Sequence, residues 1–377
     1  MPLTSLKTRP RIDLLLPSKE RFTAKNAGAI SGVVRDLVLA SASRDVYRVV
    51  GTAVDTPIAG PRFLGVTPKG GWFRSTNIAT AAGYLHTLEG GANPDLIEVH
   101  SRCHVAACIA KKRPDIPVAL YLHNDPKDMK GAHSVQERTA LLNQLSGIIC
   151  VSNYIRDCFL DGVSASSELT DKVGVARNGA ERWLDEQPRK EPFILLAGRM
   201  VPEKGILECA QAIAAVLPKH PDWRLVIAGA RRFEEAARGS YESKIADAIR
   251  PLGNRAEMRG FIPIKEIREL QAAAAISACP SLWHDPMPKA VLEGLAAGCA
   301  LVTTRRGGIP EVAEGRALII DEPSVSSFTA AFSKLLEDAD YRESLQSIAW
   351  HDFPFPATRM AADADELRCK ILLKNQN

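Results

Sequence analysis

Arg199 and Lys204 stand in a glycine-bounded loop, GRMVPEKG (residues 198–205), directly after the apolar run Phe193–Ala197. A guanidinium can fork two phosphate oxygens, and an ammonium adds a point charge. Cations so placed compensate a leaving nucleoside diphosphate without a metal ion. A second constellation lies further on, between Ala278 and Glu311. Asp285 precedes a helix-like segment, and Glu293 falls inside it eight positions later. Carboxylates accept hydrogen bonds from sugar hydroxyls, and the helix N-terminus between them faces phosphate. Pro288 is expected in the first turn of that helix, where its missing N–H costs nothing. Together these residue types form a cradle for a sugar nucleotide.

Those side chains need elements that bring loop ends together. Two separate runs of alternating strand-like and helix-like segments supply them. They predict an α/β chain with two Rossmann-like, doubly wound parallel sheets facing across a cleft. Residues 1–181 are expected to form the first domain, 182–192 a polar linker (RWLDEQPRKEP) and 193–352 the second domain. After Phe353-Pro354-Phe355-Pro356, residues 353–377 end in a helix expected to return to the first domain. In such sheets ligands bind at the carboxyl ends of strands. The first strand (RIDLLL) leads to a loop holding Gly28 and Ala29 before a helix, where a backbone anion site or a plain turn fits equally. VALYLH ends a strand at His123. The Gly- and Pro-rich segment 57–73 reads as a loop or a hairpin.

At 377 residues, 46% hydrophobic and 24% charged, the chain has the composition of a two-domain globular protein. No apolar run approaches the roughly 20 residues of a membrane helix, and the N-terminal leucine cluster is too short for a secretory signal. A cytoplasmic location is the expectation. The eight cysteines form no C-x-x-C pair and sit among apolar neighbours, as buried free thiols do. The first 74 residues carry 12 basic against 5 acidic side chains. That excess is either a solvated surface or a patch for an anionic partner, such as lipid head groups at the inner face of the plasma membrane or a phosphorylated acceptor. Arg62, Lys69, Arg74, Phe63, Trp72 and Phe73 are its candidate contacts. No basic patch interleaved with aromatics is visible, so no nucleic acid is expected.

GRMVPEKG and ACPSLWHDPMPKAVLEGLAAGCALVTTRRGGIPEV, preceded by LHNDP, VSNYIRDCFL and ARNGAE, resemble in order and spacing the signatures of GT-B fold glycosyltransferase family 4. The similar members build lipopolysaccharide cores, exopolysaccharides and spore-coat glycans. The resemblance implies a hexosyltransferase that takes a nucleotide sugar to a glycan or glycolipid acceptor. It implies retention by front-side transfer, with the leaving phosphate oxygen taking the acceptor proton. No metal and no other cofactor is implied. Arg199 and Lys204 would bind the donor diphosphate beside Gly198. Glu293 would hold the ribose, and Asp285 would touch the donor sugar. Met287, Pro288 and Lys289 would cover sugar and phosphates, largely through backbone. Phe261 and Ile262 would lie near the base. His123 would sit by the transferred sugar, and Gly28 and Ala29 would approach the diphosphate.

Two departures bear on donor choice. Asp285 stands where the family has Glu, and Pro-Met-Pro replaces its Pro-Phe-Gly, so Pro288 removes a backbone N–H. A sugar-nucleotide epimerase and a non-catalytic nucleotide-sugar-binding relative are the alternatives. His100 and His104 lack the frame of a metal pair. Asp338-Ala339-Asp340 and Asp363-Ala364-Asp365 spell D-x-D but read as solvated helix ends.

Overall fold

The computed structural model describes residues 3, 9–23, 28–70, 75–231 and 240–375. The chain divides into two compact units, Met1–Gly179 with Ala357–Asn377, and Ala180–Pro356.

The first unit is built on a seven-stranded parallel sheet. Its strands are β1 (Ile12–Leu15), β2 (Tyr47–Thr52), β3 (Phe63–Val66), β4 (Leu96–His100), β5 (Val118–Leu122), β6 (Gly147–Cys150) and β7 (Val173–Val175), in the order β3-β2-β1-β4-β5-β6-β7. β1, β4, β5 and β6 are buried along their whole length, which is why they read as apolar runs without alternation. The second unit has a six-stranded parallel sheet. Its strands are β8 (Glu191–Ala197), β9 (Arg224–Ala228), β10 (Ala256–Gly260), β11 (Ala274–Cys279), β12 (Ala300–Thr304) and β13 (Leu318–Ile320), in the order β10-β9-β8-β11-β12-β13. Both sheets reverse strand order once, between β1 and β4 and between β8 and β11. At such a point adjacent loops diverge and leave a crevice.

The structure departs from the sequence reading in several places. The segment 57–73 contains a parallel edge strand, β3, and is not a free loop. Arg62 in it is tied to β2, its guanidinium donating to the carbonyls of Asp45 and Tyr47. Trp72, Phe73 and Arg74 lie outside the described residues. β8 starts at Glu191, inside the stretch read as linker, and pairs there with Ala274. Asp365 is not a solvated helix end. The helix Ala357–Lys374 belongs to the first unit and buries Asp365, which accepts from Ser41 Oγ at 2.6 Å and from Tyr47. All eight cysteines are free, seven of them buried. No described helix is long and apolar enough to cross a membrane.

Lys190, just before β8, holds two helices of the second unit in place. Its Nζ donates to Ala272 O at 2.8 Å and Ala297 O at 2.7 Å, at the C-terminal ends of the helices Ile264–Ala273 and Lys289–Ala296. Terminal carbonyls have no partner within their own helix, and a cation there also meets the dipole. Lys190→Met keeps the stem and removes the donor. It is expected to cost about 2 kcal/mol and to lower the melting temperature by about 4–8 °C, read by calorimetry. An unchanged melting temperature would refute this capping role.

Candidate functional site

In the second unit the loops after β8 and β11 meet at the point where strand order reverses. β8 delivers Gly198 and the exposed Arg199, whose Nη2 lies 3.8 Å from Glu203 Oε1. The chain then makes a single turn over Pro202–Lys204 and enters the helix Ile206–Val216 through Gly205. Gly205 has φ +67°, and a Cβ there would lie 2.1 Å from Pro280 O, so only glycine lets the two loops touch. Leu282 N donates to Glu203 O at 3.0 Å and fastens the second loop to the first.

Lys204 and Asp285 meet across this junction as a half-buried ion pair, with Lys204 Nζ also 5.5 Å from the Trp283 ring centroid. Asp285 is buried, its carboxylate engaged by Lys204 and its carbonyl accepting from Gly308 N at 2.8 Å. Met287 and Pro288 are buried as well, so what this stretch offers a ligand is backbone. Pro288 is the N-cap (φ −72°, ψ 127°), and the helix is Lys289–Ala296, one position later than the sequence reading placed it. The first-turn N–H groups are therefore those of Lys289, Ala290 and Val291, and the last bonds Pro288 O at 3.2 Å.

Above the ends of β8, β9 and β10 lies an open hollow of about 290 Å³. Gly198, Arg199, Phe261, Ile262 and Glu293 line it together, with Ala290 of the helix between them. Glu293 lies 4.0 Å from Lys289 Nζ and accepts from Gln271 Nε2 at 3.5 Å, which aims its carboxylate along the helix face. Phe261 and Ile264 remain about half exposed at 47% and 52%, an apolar rim suited to a flat ring. Lys204 and Asp285 are not on the hollow's wall but form the ion pair beside it. The sequence reading missed residues 229–231, which complete the wall after β9. Gly229 has φ +133°, and a Cβ would fall 1.8 Å from Gly198 O. A glycine directly after a predicted strand was the signal that could have found it.

In the first unit Gly28 is the N-cap of the helix Ala29–Ala40, in ordinary extended geometry (φ −68°). A carboxylate already sits on this helix start. Glu20 Oε2 accepts from Ser31 N at 3.1 Å, and a Cβ on Gly28 would lie 2.0 Å from the same oxygen. The helix N-terminus attracts an anion, as its dipole dictates, but the anion present is the protein's own. His123 follows β5 directly and is 8% exposed. His100 and His104 do not pair: His100 stacks with Tyr121 and His123 at ring separations of 5.1 Å. Among the described residues no group of three or more His, Cys, Asp or Glu side chains is placed to hold a metal ion.

Comparison with known proteins gives matches to both halves. Residues 33–181 match the model for Glycosyltransferase Family 4, and residues 180–351 match that for Glycosyl transferases group 1. YtcC of Bacillus subtilis (strain 168), which carries a glycosyltransferase name, is 30% identical over 264 residues, spanning 65% of this chain and 65% of YtcC. Spore coat protein SA of the same strain is 24% identical over 67% of this chain and 71% of its own. Among solved structures, Anabaena Alr3699/HepE, crystallised with UDP and glucose, superposes with a TM-score of 0.74 at 18% identity, over 96% of this chain and 99% of that one. That likeness is one of fold.

Proposed function

The chain belongs to the GT-B glycosyltransferases, with a family 4 half followed by a group 1 half, and from that premise we propose that it moves a hexose from a nucleotide sugar to a cell-envelope glycan or glycolipid. The observation that carries this reading is the hollow of the second unit, where Arg199 and Glu293 share a wall with an apolar rim. Its parts match those of a nucleotide sugar: a cation for the diphosphate, a carboxylate for ribose hydroxyls, and exposed Phe261 for the base. HepE was crystallised with UDP and glucose, which supports a donor of this kind. Similarity to a spore coat protein and to a lipopolysaccharide N-acetylglucosaminetransferase of Salmonella typhimurium supports an envelope acceptor. Retention of configuration, independence of metal and a cytoplasmic site of action, with the basic first unit against anionic lipid, complete the proposal.

A non-catalytic nucleotide-sugar-binding role is the second reading, and the Lys204–Asp285 pair favours it. A carboxylate engaged by the lysine is withdrawn from the donor sugar. Screening UDP-, GDP- and ADP-sugars for thermal stabilisation, then assaying turnover with and without acceptor, separates the readings. A bound donor at about 100 Kd is expected to add about 2.7 kcal/mol and to raise the melting temperature by roughly 5–10 °C. A sugar transferred only when acceptor is present supports the transferase. Stabilisation without turnover supports the binding role, and a changed nucleotide sugar released without acceptor would indicate an epimerase.

A further inference from the structure

The loops that end three adjacent strands of the second unit are laced together beyond the sheet. Gly198 N donates to Ala228 O at 3.0 Å, Met200 N to Ala230 O at 3.3 Å, and Gly229 N to Gly260 O at 2.7 Å. Gly229 permits this, since a Cβ there would meet Gly198 O. The lacing brings Arg231 to the wall of the hollow, on the loop beside the one that carries Arg199. Arg231 N donates to Glu242 Oε1 at 3.1 Å. Glu242 is buried in the first turn of the helix Ser240–Ile249, where a carboxylate also meets the helix dipole. Arg231 is thus held by its backbone, while its exposed side chain lines the hollow.

Among the described residues, the charged side chains on this wall are Arg199, Arg231 and Glu293. Two guanidinium groups on one wall repel each other, and an anion between them turns that cost into attraction. An arginine only donates, and its planar fork matches phosphate oxygens. Strand order then decides which phosphate each one meets. Along the sheet edge the order is β10, β9, β8, so the loops present Phe261 and Ile262 first, Arg231 second and Arg199 third. Neighbouring strands lie about 4.8 Å apart, so adjacent loops address adjacent groups of an extended ligand. A nucleotide with its base at the Phe261 rim meets Arg231 with the phosphate joined to its ribose, and Arg199 with the outer phosphate.

We propose that Arg231 binds the ribose-linked phosphate of the donor, leaving Arg199 to the outer phosphate, whose bond to the sugar breaks. The proposal rests on the proposed function for its ligand. It goes beyond that function in adding a donor-binding residue and in dividing the diphosphate between two guanidinium groups. The division has a chemical consequence. Charge grows on the outer phosphate as the sugar departs, whereas the inner phosphate keeps its single charge throughout. Arg231 therefore holds the ground state and the transition state alike, and its contribution falls mainly on the donor KM.

Calorimetric titration of UMP, GMP and AMP, and of the matching diphosphates, into the native, Arg231→Ala and Arg199→Ala chains tests this. Arg231→Ala keeps the backbone bond to Glu242 and is expected to fold, which its melting temperature checks. For the base that the native chain binds best, Arg231→Ala is expected to weaken monophosphate and diphosphate alike by about 10- to 100-fold, the worth of a hydrogen bond to a charged group. Arg199→Ala is expected to weaken the diphosphate at least about 10-fold more than the monophosphate. Arg231→Lys, the second variant, keeps the charge without the fork and should fall between native and Arg231→Ala. Native affinity of Arg231→Ala for both ligands, a loss confined to the diphosphate, or an equal loss for the matching nucleoside would overturn the proposal while leaving the proposed function in place. No binding of any of these nucleotides to the native chain would overturn both.

Discussion

Arg199→Ala combined with Lys204→Ala is expected to reduce sugar transfer by about 10³-fold or more, since the role proposed for both cations is to oppose charge that grows on the leaving diphosphate. Removing one preorganised donor to a developing anion typically costs about 10²–10³ in rate. The two differ in what else they do. Arg199 is exposed and makes one long contact to Glu203, so Arg199→Ala alone should leave stability within about 0.5 kcal/mol while lowering transfer about 10²-fold. Lys204 neutralises a buried carboxylate, so its loss also strands Asp285. Initial-rate assays beside melting curves separate the two effects. Full turnover in the folded double variant would exclude these side chains from the chemistry.

The largest expected effect on stability lies in the other unit. Arg368→Met leaves Glu98 buried with no guanidinium, and breaking a buried pair from one side costs about 3–5 kcal/mol. The pH dependence should change sign at the same time. In the native chain Glu98 has a folded pKa of about 2, below its ordinary value. Its contribution is therefore present above the unfolded carboxylate pKa and is lost as pH falls toward about 2. Without Arg368, burial, the largest influence, is opposed only by the smaller pull of His100 and raises the folded pKa, so stability is lost as pH rises above the unfolded value. Adding Glu98→Gln should restore much of the loss and remove this pH dependence. Calorimetric melting from acid to neutral pH checks both, and an Arg368→Met chain with native stability and the native pH slope would refute the pairing.

The features legible in the sequence were local. Buried parallel strands leave continuous apolar runs, so β1, β5 and β8 stood out. The loop from Gly198 to Gly205 and the stretch from Asp285 to Glu293 carry their chemistry within a few residues of a strand or helix end. What was missed depends on distance or on few residues. β3 and β13 are four- and three-residue edge strands, too short to show a period. Glu20 covers the helix start at Gly28 through a fold of the loop. Asp365 looked solvated because its partners Ser41 and Tyr47 lie more than 300 positions away. Arg368 and Glu98 are 270 positions apart, and no local spacing announces such a pair. Asp285 was legible as an unusual residue, but its engagement with Lys204 was not, since that needs the junction made by Gly205.

The central claim is that the hollow of the second unit holds the nucleotide part of a sugar donor. Calorimetric titration of UDP, GDP and ADP into the native chain and into the Arg199→Ala/Lys204→Ala chain tests it most directly. At least one nucleoside diphosphate is expected to bind the native chain, with an affinity that falls at least about 10²-fold in the variant, a loss of about 2.7 kcal/mol. Binding of equal strength to both chains, or no binding of any of the three to the native chain, would contradict it.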